Sequence, residues 1–204
     1  MLDTVLAANS DIRRVQSLAA RALSRIGISA NAATIAGTIM GVAAAIEFGR
    51  GSTTAGIAAL AISAALDAID GTIAREAGAS SPLGGVLDLT SDRVVEILVI
   101  VGIAQRDSAL FFPALLLVGS WYVNITIFLA VGAALDREGP KLIDYPPGIL
   151  ERSEALIFFV VLAIVEAAPL ARPLGPYLCY AMTAMEIATG VQRLIFGVRM
   201  LRAQ

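Results

Sequence analysis

Six long apolar stretches divide this sequence, and each comes close to the roughly 20 residues that a helix needs to cross a lipid bilayer. They occupy residues 32–49, 54–75, 83–105, 108–134, 150–168 and 174–199. Apolar side chains make up 57% of the 204 residues and charged side chains only 16%, whereas globular chains carry about 25% charged residues. The sequence therefore predicts an all-α polytopic membrane protein, a single domain over 1–204 with six transmembrane helices between residues 32 and 199.

Residues 10–26, ahead of the first apolar stretch, show a different pattern. Apolar side chains recur there at helical spacing, while arginines such as Arg13, Arg21 and Arg25 fall on the opposite side. A basic amphipathic helix beside a membrane span is typical of a helix that lies in the lipid headgroup layer. The same pattern also fits a helix that packs on the protein itself, so the sequence leaves both placements open.

The distribution of basic residues predicts the orientation in the membrane, because cytoplasmic loops carry an excess of Lys and Arg. If both termini are cytoplasmic, eleven basic residues lie on that side and three on the other. The eleven are Arg13, Arg14, Arg21, Arg25, Arg75, Arg137, Lys141, Arg152, Arg193, Arg199 and Arg202, and the three are Arg50, Arg106 and Arg172. We therefore expect a protein of the cytoplasmic membrane with both termini inside the cell.

The scarcity of reactive side chains removes several kinds of chemistry. The chain has no His and one Cys, Cys179, so it offers neither a zinc site nor a His-based catalytic triad. Its only lysine, Lys141, follows Pro140 and not the glycine of a phosphate-binding loop. A net charge of −2 gives no basic signature for nucleic acid, which is excluded as a partner. Catalysis here must rest on carboxylates, arginines and hydroxyls.

Four aspartates stand at the facing ends of two neighbouring apolar stretches. Asp67 and Asp70 are three residues apart near the end of the second stretch, and Asp88 and Asp92 are four residues apart near the start of the third. At these spacings each pair projects from one face of its helix. A hairpin of the two helices would bring the pairs face to face, with a cytoplasmic site at their ends.

This acidic cluster needs positive charge, because a carboxylate inside a membrane costs about 3 kcal/mol on insertion scales. Arg75 and Arg93 would offset only part of the charge. One or two divalent ions would complete the balance, and an oxygen-only ligand set suits Mg²⁺, Mn²⁺ or Ca²⁺. Two such ions could clamp a pyrophosphate for an in-line displacement. A buried ion-pair network without a ligand is the alternative.

The residues around the aspartates resemble the signature of the CDP-alcohol phosphotransferase, or CDP-alcohol phosphatidyltransferase, family. That signature is Asp-x-x-Asp-Gly-x-x-Ala-Arg, eight residues, then Gly-x-x-x-Asp-x-x-x-Asp. Every fixed position is filled, by Asp67, Asp70, Gly71, Ala74, Arg75, Gly84, Asp88 and Asp92. The resemblance covers nearly the whole chain. It implies an integral membrane enzyme, usually a homodimer, that transfers a phosphatidyl-type group from a CDP-linked lipid to a hydroxyl and releases CMP.

The resemblance also implies a role for each of the acidic residues. Asp67, Asp70, Asp88 and Asp92 would hold divalent metals, Mg²⁺ or Mn²⁺, with two ions in each site. Asp92 would in addition be the general base, and a carboxylate base agrees with the lack of His.

A nucleotide pocket is implied by a second group of matching positions. Its residues would be Asn31, Thr34, Asp67, Gly71, Ala74, Arg75 and Gly84, where Asn31 and Thr34 match a Thr/Ser-Pro-Asn-x-x-Thr motif in which Ala30 replaces proline. Glycines let a bulky group approach the helix backbone, although small residues also serve helix packing in membranes. For Asn31 and Thr34, the alternative is that the side chains cap the helix or bond its backbone.

Two arginines near span ends are the candidates for binding an anionic acceptor. Arg152 and Arg193 lie in stretches similar to the bacterial phosphatidylinositol phosphate synthase branch of the family, in which an arginine-rich pocket takes inositol phosphate. Guanidinium groups suit phosphate because they donate a planar pair of hydrogen bonds. Ala155 stands where that branch has a further arginine, and arginines at span ends also anchor helices at the interface. A polyol or polyol phosphate is therefore expected, with inositol phosphate and glycerol phosphate both open.

Two other classes of protein compete with the enzyme. A cation or proton transporter could use the intramembrane aspartates as an ion pathway, but such proteins often carry internal repeats or broken helices at the midplane, and the two halves here show no self-similarity. A lipid-binding scaffold would not need Asp92 beside three other carboxylates.

Overall fold

The structure, a computed structural model, describes residues 9–134, 148, 150 and 152–202. These residues are mostly helical, joined by short turns, and include no strand. The α-helices are α1 (Ser10–Arg25), α2 (Ala30–Arg50), α3 (Thr53–Glu76), α4 (Pro82–Ala104), α5 (Phe111–Ala134), α6 (Arg152–Ala167) and α7 (Gly175–Arg202). Short 3₁₀ segments, Ser108–Leu110 and Arg172–Leu174, lead into α5 and α7. The predicted connection over 136–147, with Arg137 and Lys141, lies outside the described residues.

The six apolar stretches are all helical, with ends close to those predicted. Three helical segments are long and apolar enough to cross a membrane, namely Ala30–Arg50, Thr53–Glu76 and Ser108–Ala134. For the other three stretches the crossing stays a prediction: α4 carries the acidic residues of the site, α6 has 16 residues, and α7 includes buried Glu186. The part of the chain that the structure describes is thus helical and contains three segments whose length and composition fit a membrane span.

Two tight turns, one between α2 and α3 and one between α3 and α4, each contain a glycine with positive φ. Gly51 ends α2 with φ of 86°, and Gly78 lies between α3 and α4 with φ of 60°. Both values fall in the left-handed region that favours glycine. Ser81 then caps α4, because its hydroxyl accepts a hydrogen bond from the Gly84 backbone N–H at 3.1 Å. The short α3–α4 turn is what sets the end of α3 beside the start of α4.

Helix α2 packs against both α3 and α4 through small residues. Gly37 faces Ser63 and Leu66 of α3, and the Ser63 hydroxyl donates to the Gly37 carbonyl at 2.7 Å. Gly41, one turn later, faces Val95 of α4. Helices in membranes approach closely where side chains are small. As a result α2 forms a wall along the α3–α4 hairpin.

The remaining helices build a second layer beside this hairpin. Helix α5 packs along α7, and α6 contacts α3, α4 and α7. The buried core extends across both layers and includes Trp121 and Phe159, whose rings meet edge to face with centroids 5.9 Å apart. Because α6 touches both layers, its first residue, Arg152, reaches the acidic end of the hairpin.

Residues 10–25 form helix α1, which contacts α3. Ala20 is buried, and Glu76 at the end of α3 accepts hydrogen bonds from Ser17 and Arg21. In contrast, Val15 and Leu18 are 65% and 58% exposed. One side of the helix therefore packs on the protein, while another side presents apolar side chains outward.

Candidate functional site

The acidic cluster lies where α3 ends and α4 begins. Carboxylate oxygens of Asp67, Asp70 and Asp88 lie within 4.8 Å of one another. Asp70 is buried and the other two are half-buried. Three carboxylates this close repel one another, and their oxygens form the kind of ligand set that hard divalent cations prefer. The hairpin expected from the spacing thus brings residues of both aspartate pairs together.

Helix α2 supplies a polar contact to this cluster. The Thr34 hydroxyl lies 2.6 Å from Asp70 Oδ2 and 3.1 Å from the Ala30 carbonyl, so it can donate to either. Asn31 does not cap α2, because Ser29 takes that position and accepts from the Ala32 N–H at 3.2 Å. Capping by Asn31 is therefore wrong, whereas the Thr34 hydroxyl contacts the helix backbone, as that alternative expected, and also faces the acidic cluster.

Asp92 lies outside the group of three and is paired with a cation. Arg152 Nη1 lies 2.5 Å from Oδ1 of Asp92 and 2.5 Å from Oδ1 of Asp67. The sequence pattern predicts Arg75 and Arg93 as partners for the aspartates. Among the contacts that the structure gives, Arg75 donates to Thr72 at 3.1 Å instead, and Arg152 is the cation at the cluster.

A cavity of about 200 Å³ opens beside the cluster, between the start of α2 and the α3–α4 turn. Its lining includes Asp70, Asp88 and most of the residues predicted to contact the nucleotide, which are Asn31, Thr34, Gly71, Ala74, Arg75 and Gly84. Asp67, also predicted there, is not part of the lining.

The two glycines of the signature keep this cavity open. A Cβ added to Gly71 would lie 3.1 Å from Arg75 Nη1, and one added to Gly84 would lie 3.3 Å from the Ser81 hydroxyl and 3.5 Å from Asn31 Oδ1. Both positions border the cavity and not a tight helix contact. Their small size therefore serves the cavity more than it serves packing.

A second cavity, of about 130 Å³, lies between α4, α5, α6 and α7. Arg152 and Arg193, the two predicted acceptor residues, both line it, and so does Ala155. Arg93 lines it too and forms an ion pair with Glu96, with nitrogen-to-oxygen distances of 2.6 and 2.9 Å. The structure thus brings three arginines to one cavity, next to the acidic cluster.

Several polar residues of this second cavity were missed from the sequence. They are Glu96, Asn124 and Glu186, all buried. The sequence does contain a signal for them, since each is a polar residue within an apolar stretch, and such a residue usually faces the protein interior and has a partner.

The family model described as CDP-alcohol phosphatidyltransferase matches residues 28–192 of the chain. The phosphatidylinositol phosphate synthase of Mycobacterium tuberculosis is 32% identical over 192 residues, which cover 89% of this chain and 84% of that protein. The archaetidylinositol phosphate synthase of Pyrococcus horikoshii is 31% identical over 179 residues, covering 87% and 91%.

Solved structures are similar over the same length. The crystal structure of the Mycobacterium tuberculosis phosphatidylinositol phosphate synthase with CDP-DAG bound superposes with a TM-score of 0.75 at 29% identity, covering 90% of this chain and 94% of that one. A second crystal structure of that enzyme, in complex with manganese and citrate, gives a TM-score of 0.75 at 28% identity, covering 90% and 88%. Together with the signature, these matches show that the chain belongs to the CDP-alcohol phosphatidyltransferase family and is a transferase of substituted phosphate groups.

Proposed function

We propose that this protein transfers a phosphatidyl group from CDP-diacylglycerol, or a similar CDP-linked lipid, to the hydroxyl of a polyol phosphate and releases CMP. The observation that carries the proposal is the triad of Asp67, Asp70 and Asp88 beside a cavity lined by the signature residues. With the family established, the transporter and scaffold hypotheses are not retained.

The triad fits a divalent metal by its chemistry. Asp67, Asp70 and Asp88 offer hard oxygen ligands from a single small region, which suits Mg²⁺ or Mn²⁺. When bound, the metal supplies positive charge to the pyrophosphate and to the leaving CMP. The family resemblance favours two ions, with Asp92 as a further ligand, and the manganese complex of the mycobacterial enzyme supports the choice of metal.

The donor would occupy the 200 Å³ cavity with its nucleotide and the bilayer with its acyl chains. Gly71 and Gly84 leave room against the helix backbones, and Arg75 lies on the same cavity wall. The exposed apolar faces of the span-like helices would meet the lipid tails. The CDP-DAG complex of the mycobacterial enzyme supports a donor of this kind.

Asp92 would take the proton of the acceptor hydroxyl. The hydroxyl oxygen forms a bond to the phosphorus of the phosphatidyl group, the bond from that phosphorus to CMP breaks, and CMP leaves with the bonding electrons. Arg152 contacts Asp92 at 2.5 Å and would hold its carboxylate toward the acceptor cavity. A carboxylate within hydrogen-bond reach of the hydroxyl is the geometry that general base catalysis requires.

Arg152 and Arg193 would bind the phosphate of the acceptor. Both line the 130 Å³ cavity, which adjoins Asp92 through Arg152. The names of the curated relatives, synthases of phosphatidylinositol phosphate and archaetidylinositol phosphate, favour inositol phosphate over glycerol phosphate. They leave the lipid tail, diacylglycerol or archaeal ether lipid, to be determined.

The proposal includes a placement in the membrane. The active site and both termini would face the cytoplasm, all six apolar helices would span the bilayer, and α1 would rest in the headgroup layer on its exposed apolar side. The chain would act as a homodimer, as is usual in the family.

The test is a transfer assay with purified protein in detergent. CDP-diacylglycerol, Mg²⁺ or Mn²⁺, and one acceptor at a time (inositol phosphate, glycerol phosphate, inositol or glycerol) are incubated, and both CMP and the product lipid are identified. We expect metal-dependent CMP release with inositol phosphate and a matching new lipid. Asp70→Asn should abolish it, whereas Asp11→Asn, a matched change on exposed α1, should not. A protein that releases no CMP with any acceptor would refute the proposal.

A further inference from the structure

A buried chain of hydrogen bonds joins α7 to α5 and returns to α7. Glu186 accepts hydrogen bonds from the indole N–H of Trp121 at 3.1 Å and from the Asn124 amide nitrogen at 2.6 Å. The Asn124 carbonyl oxygen then accepts from Arg193 Nη1 at 2.9 Å. Glu186, Asn124 and Trp121 are all buried. The acidic residue thus reaches the guanidinium two helical turns away through one amide.

The two ends of this hydrogen-bond chain, a carboxylate and a guanidinium, fix the order of its donors and acceptors. A carboxylate only accepts hydrogen bonds and a guanidinium only donates them. Asn124 satisfies both neighbours only when its NH₂ group faces Glu186 and its carbonyl oxygen faces Arg193. The opposite orientation would set oxygen against oxygen and N–H against N–H. Glu186 therefore determines which atom Asn124 presents to Arg193.

A second contact also restricts where the Arg193 guanidinium lies. Its carbon is 5.7 Å from the centroid of the Phe128 ring, which is one turn beyond Asn124 on α5. Arg193, Asn124, Glu186 and Phe128 line the same 130 Å³ cavity as Arg152. The ring and the amide together hold one arginine toward the cavity that a phosphate would enter.

We infer that Glu186, acting through Asn124, is a positioning residue that orients Arg193 toward the phosphate of the acceptor. This inference rests on the proposed function, because it assigns the Arg193 side of the cavity to the acceptor. The hydrogen bonds that the structure gives to the Glu186 carboxylate come from Trp121 and Asn124, so its link to Arg193 runs through the Asn124 amide. The effect of Glu186 is to direct, through Asn124, the Nη1 donor of Arg193.

The first test is Glu186→Gln, which keeps the shape of the side chain. The glutamine oxygen can still accept from Trp121, but its NH₂ group then faces Asn124. Asn124 must turn its oxygen toward Gln, which sets its own NH₂ group against Arg193. We expect the KM for inositol phosphate to rise about tenfold, as for the loss of one charge-assisted hydrogen bond, while kcat and the KM for CDP-diacylglycerol stay within about twofold.

The second test combines Glu186→Gln with Asn124→Asp, which restores the order of hydrogen-bond donors and acceptors between residue 186 and Arg193. The new carboxylate at 124 accepts from the glutamine NH₂ group and from Arg193, and the net charge of the pair is that of the original protein. We expect the acceptor KM to return to within about twofold of the original value. A loss caused only by damaged packing would not be repaired by a second substitution at this helix contact. Glu166→Gln, the same change at a buried glutamate outside the cavity, serves as the matched control.

The outcomes separate this inference from the proposed function. Arg193→Ala is measured in parallel and should raise the acceptor KM while leaving the donor KM unchanged. If Arg193→Ala has this effect and Glu186→Gln does not, the positioning role is wrong and the proposed function stands. If neither changes the acceptor KM while CMP is still released, the cavity does not bind the acceptor and the inference fails. If the double variant stays as impaired as the single one, orientation through Asn124 is refuted.

Discussion

Asp92 and Asp67 are both acidic and both touch Arg152, yet they are expected to act differently. Asp67 belongs to the triad that would hold metal, whereas Asp92 lies outside the triad and is the proposed general base. The same type of side chain thus acquires its role from its neighbours. One prediction therefore concerns Asp92 as the base, and another concerns the metal triad.

Asp92→Asn should abolish CMP release from CDP-diacylglycerol, because an amide cannot accept the hydroxyl proton at neutral pH. Binding of the donor should persist, since the triad and the nucleotide cavity do not include residue 92. CMP formation is measured alongside binding of CDP-diacylglycerol and of Mn²⁺. Undiminished turnover would rule out Asp92 as the base.

Thr34→Val should weaken metal binding without removing a ligand. The Thr34 hydroxyl lies 2.6 Å from Asp70 and fixes one of its oxygens, and residues that orient metal ligands typically contribute 10–100-fold in affinity. We expect the Mn²⁺ concentration for half-maximal activity to rise about tenfold. Thr38→Val is the matched control, because the Thr38 hydroxyl bonds only the Thr34 carbonyl among the contacts found, at 2.8 Å. Equal effects of the two changes would contradict an orienting role for Thr34.

At the scale of helices, the close contact between α2 and α4 depends on glycine at position 102, which has no side chain. A Cβ added to Gly102 would collide with the backbone of Ala45, whereas one added to Gly119 of α5 would meet nothing within 4 Å. Backbone atoms cannot move aside cheaply, and overpacking costs about 1–3 kcal/mol. The acidic hairpin is held against α2 by contacts of this kind.

Gly102→Ala should therefore lower the thermal unfolding temperature in detergent, by several degrees. Gly119→Ala should leave it unchanged or raise it, because alanine favours a helix by about 1 kcal/mol over glycine. Unfolding is followed by the loss of helical signal for both purified variants. A Gly102→Ala protein as stable as the original would show that α2 and α4 are less tightly packed than the structure has them.

The sequence was informative about helices and about the acidic motif for a local reason. Apolar runs and the spacing of Asp67, Asp70 and Asp88 act within a helix or across one short turn, so the pattern alone brings them together. The pairing of Arg152 with the cluster depends instead on how α6 docks, which no local spacing encodes. Asn124 and Glu186 lie 62 residues apart, and only the packing of α5 on α7 shows that they meet.

For the whole molecule, the bias of basic residues gives a testable orientation. Ala77, after α3, should lie on the cytoplasmic side, and Leu170, which is fully exposed between α6 and α7, on the far side. Cys179 is completely buried, so the original protein should not react with a bulky thiol reagent.

In intact cells, a membrane-impermeant thiol reagent should therefore label Leu170→Cys and not Ala77→Cys. After the membrane is opened, both variants should react. Labelling is read as a mass shift of the purified protein, with the unsubstituted chain as the background. The reverse result, Ala77→Cys labelled from outside, would place the proposed active site on the wrong side for a cytoplasmic acceptor.

The position of Arg152 limits how this protein can diverge. One of its nitrogens contacts Asp67 and Asp92, while the side chain also borders the 130 Å³ cavity proposed for the acceptor. A descendant that exchanged this arginine to admit an uncharged alcohol would leave two neighbouring carboxylates without their cation. Evolution toward new acceptors is expected to proceed first through Arg193 and its partners on α5, where a change of preference leaves the acidic hairpin undisturbed.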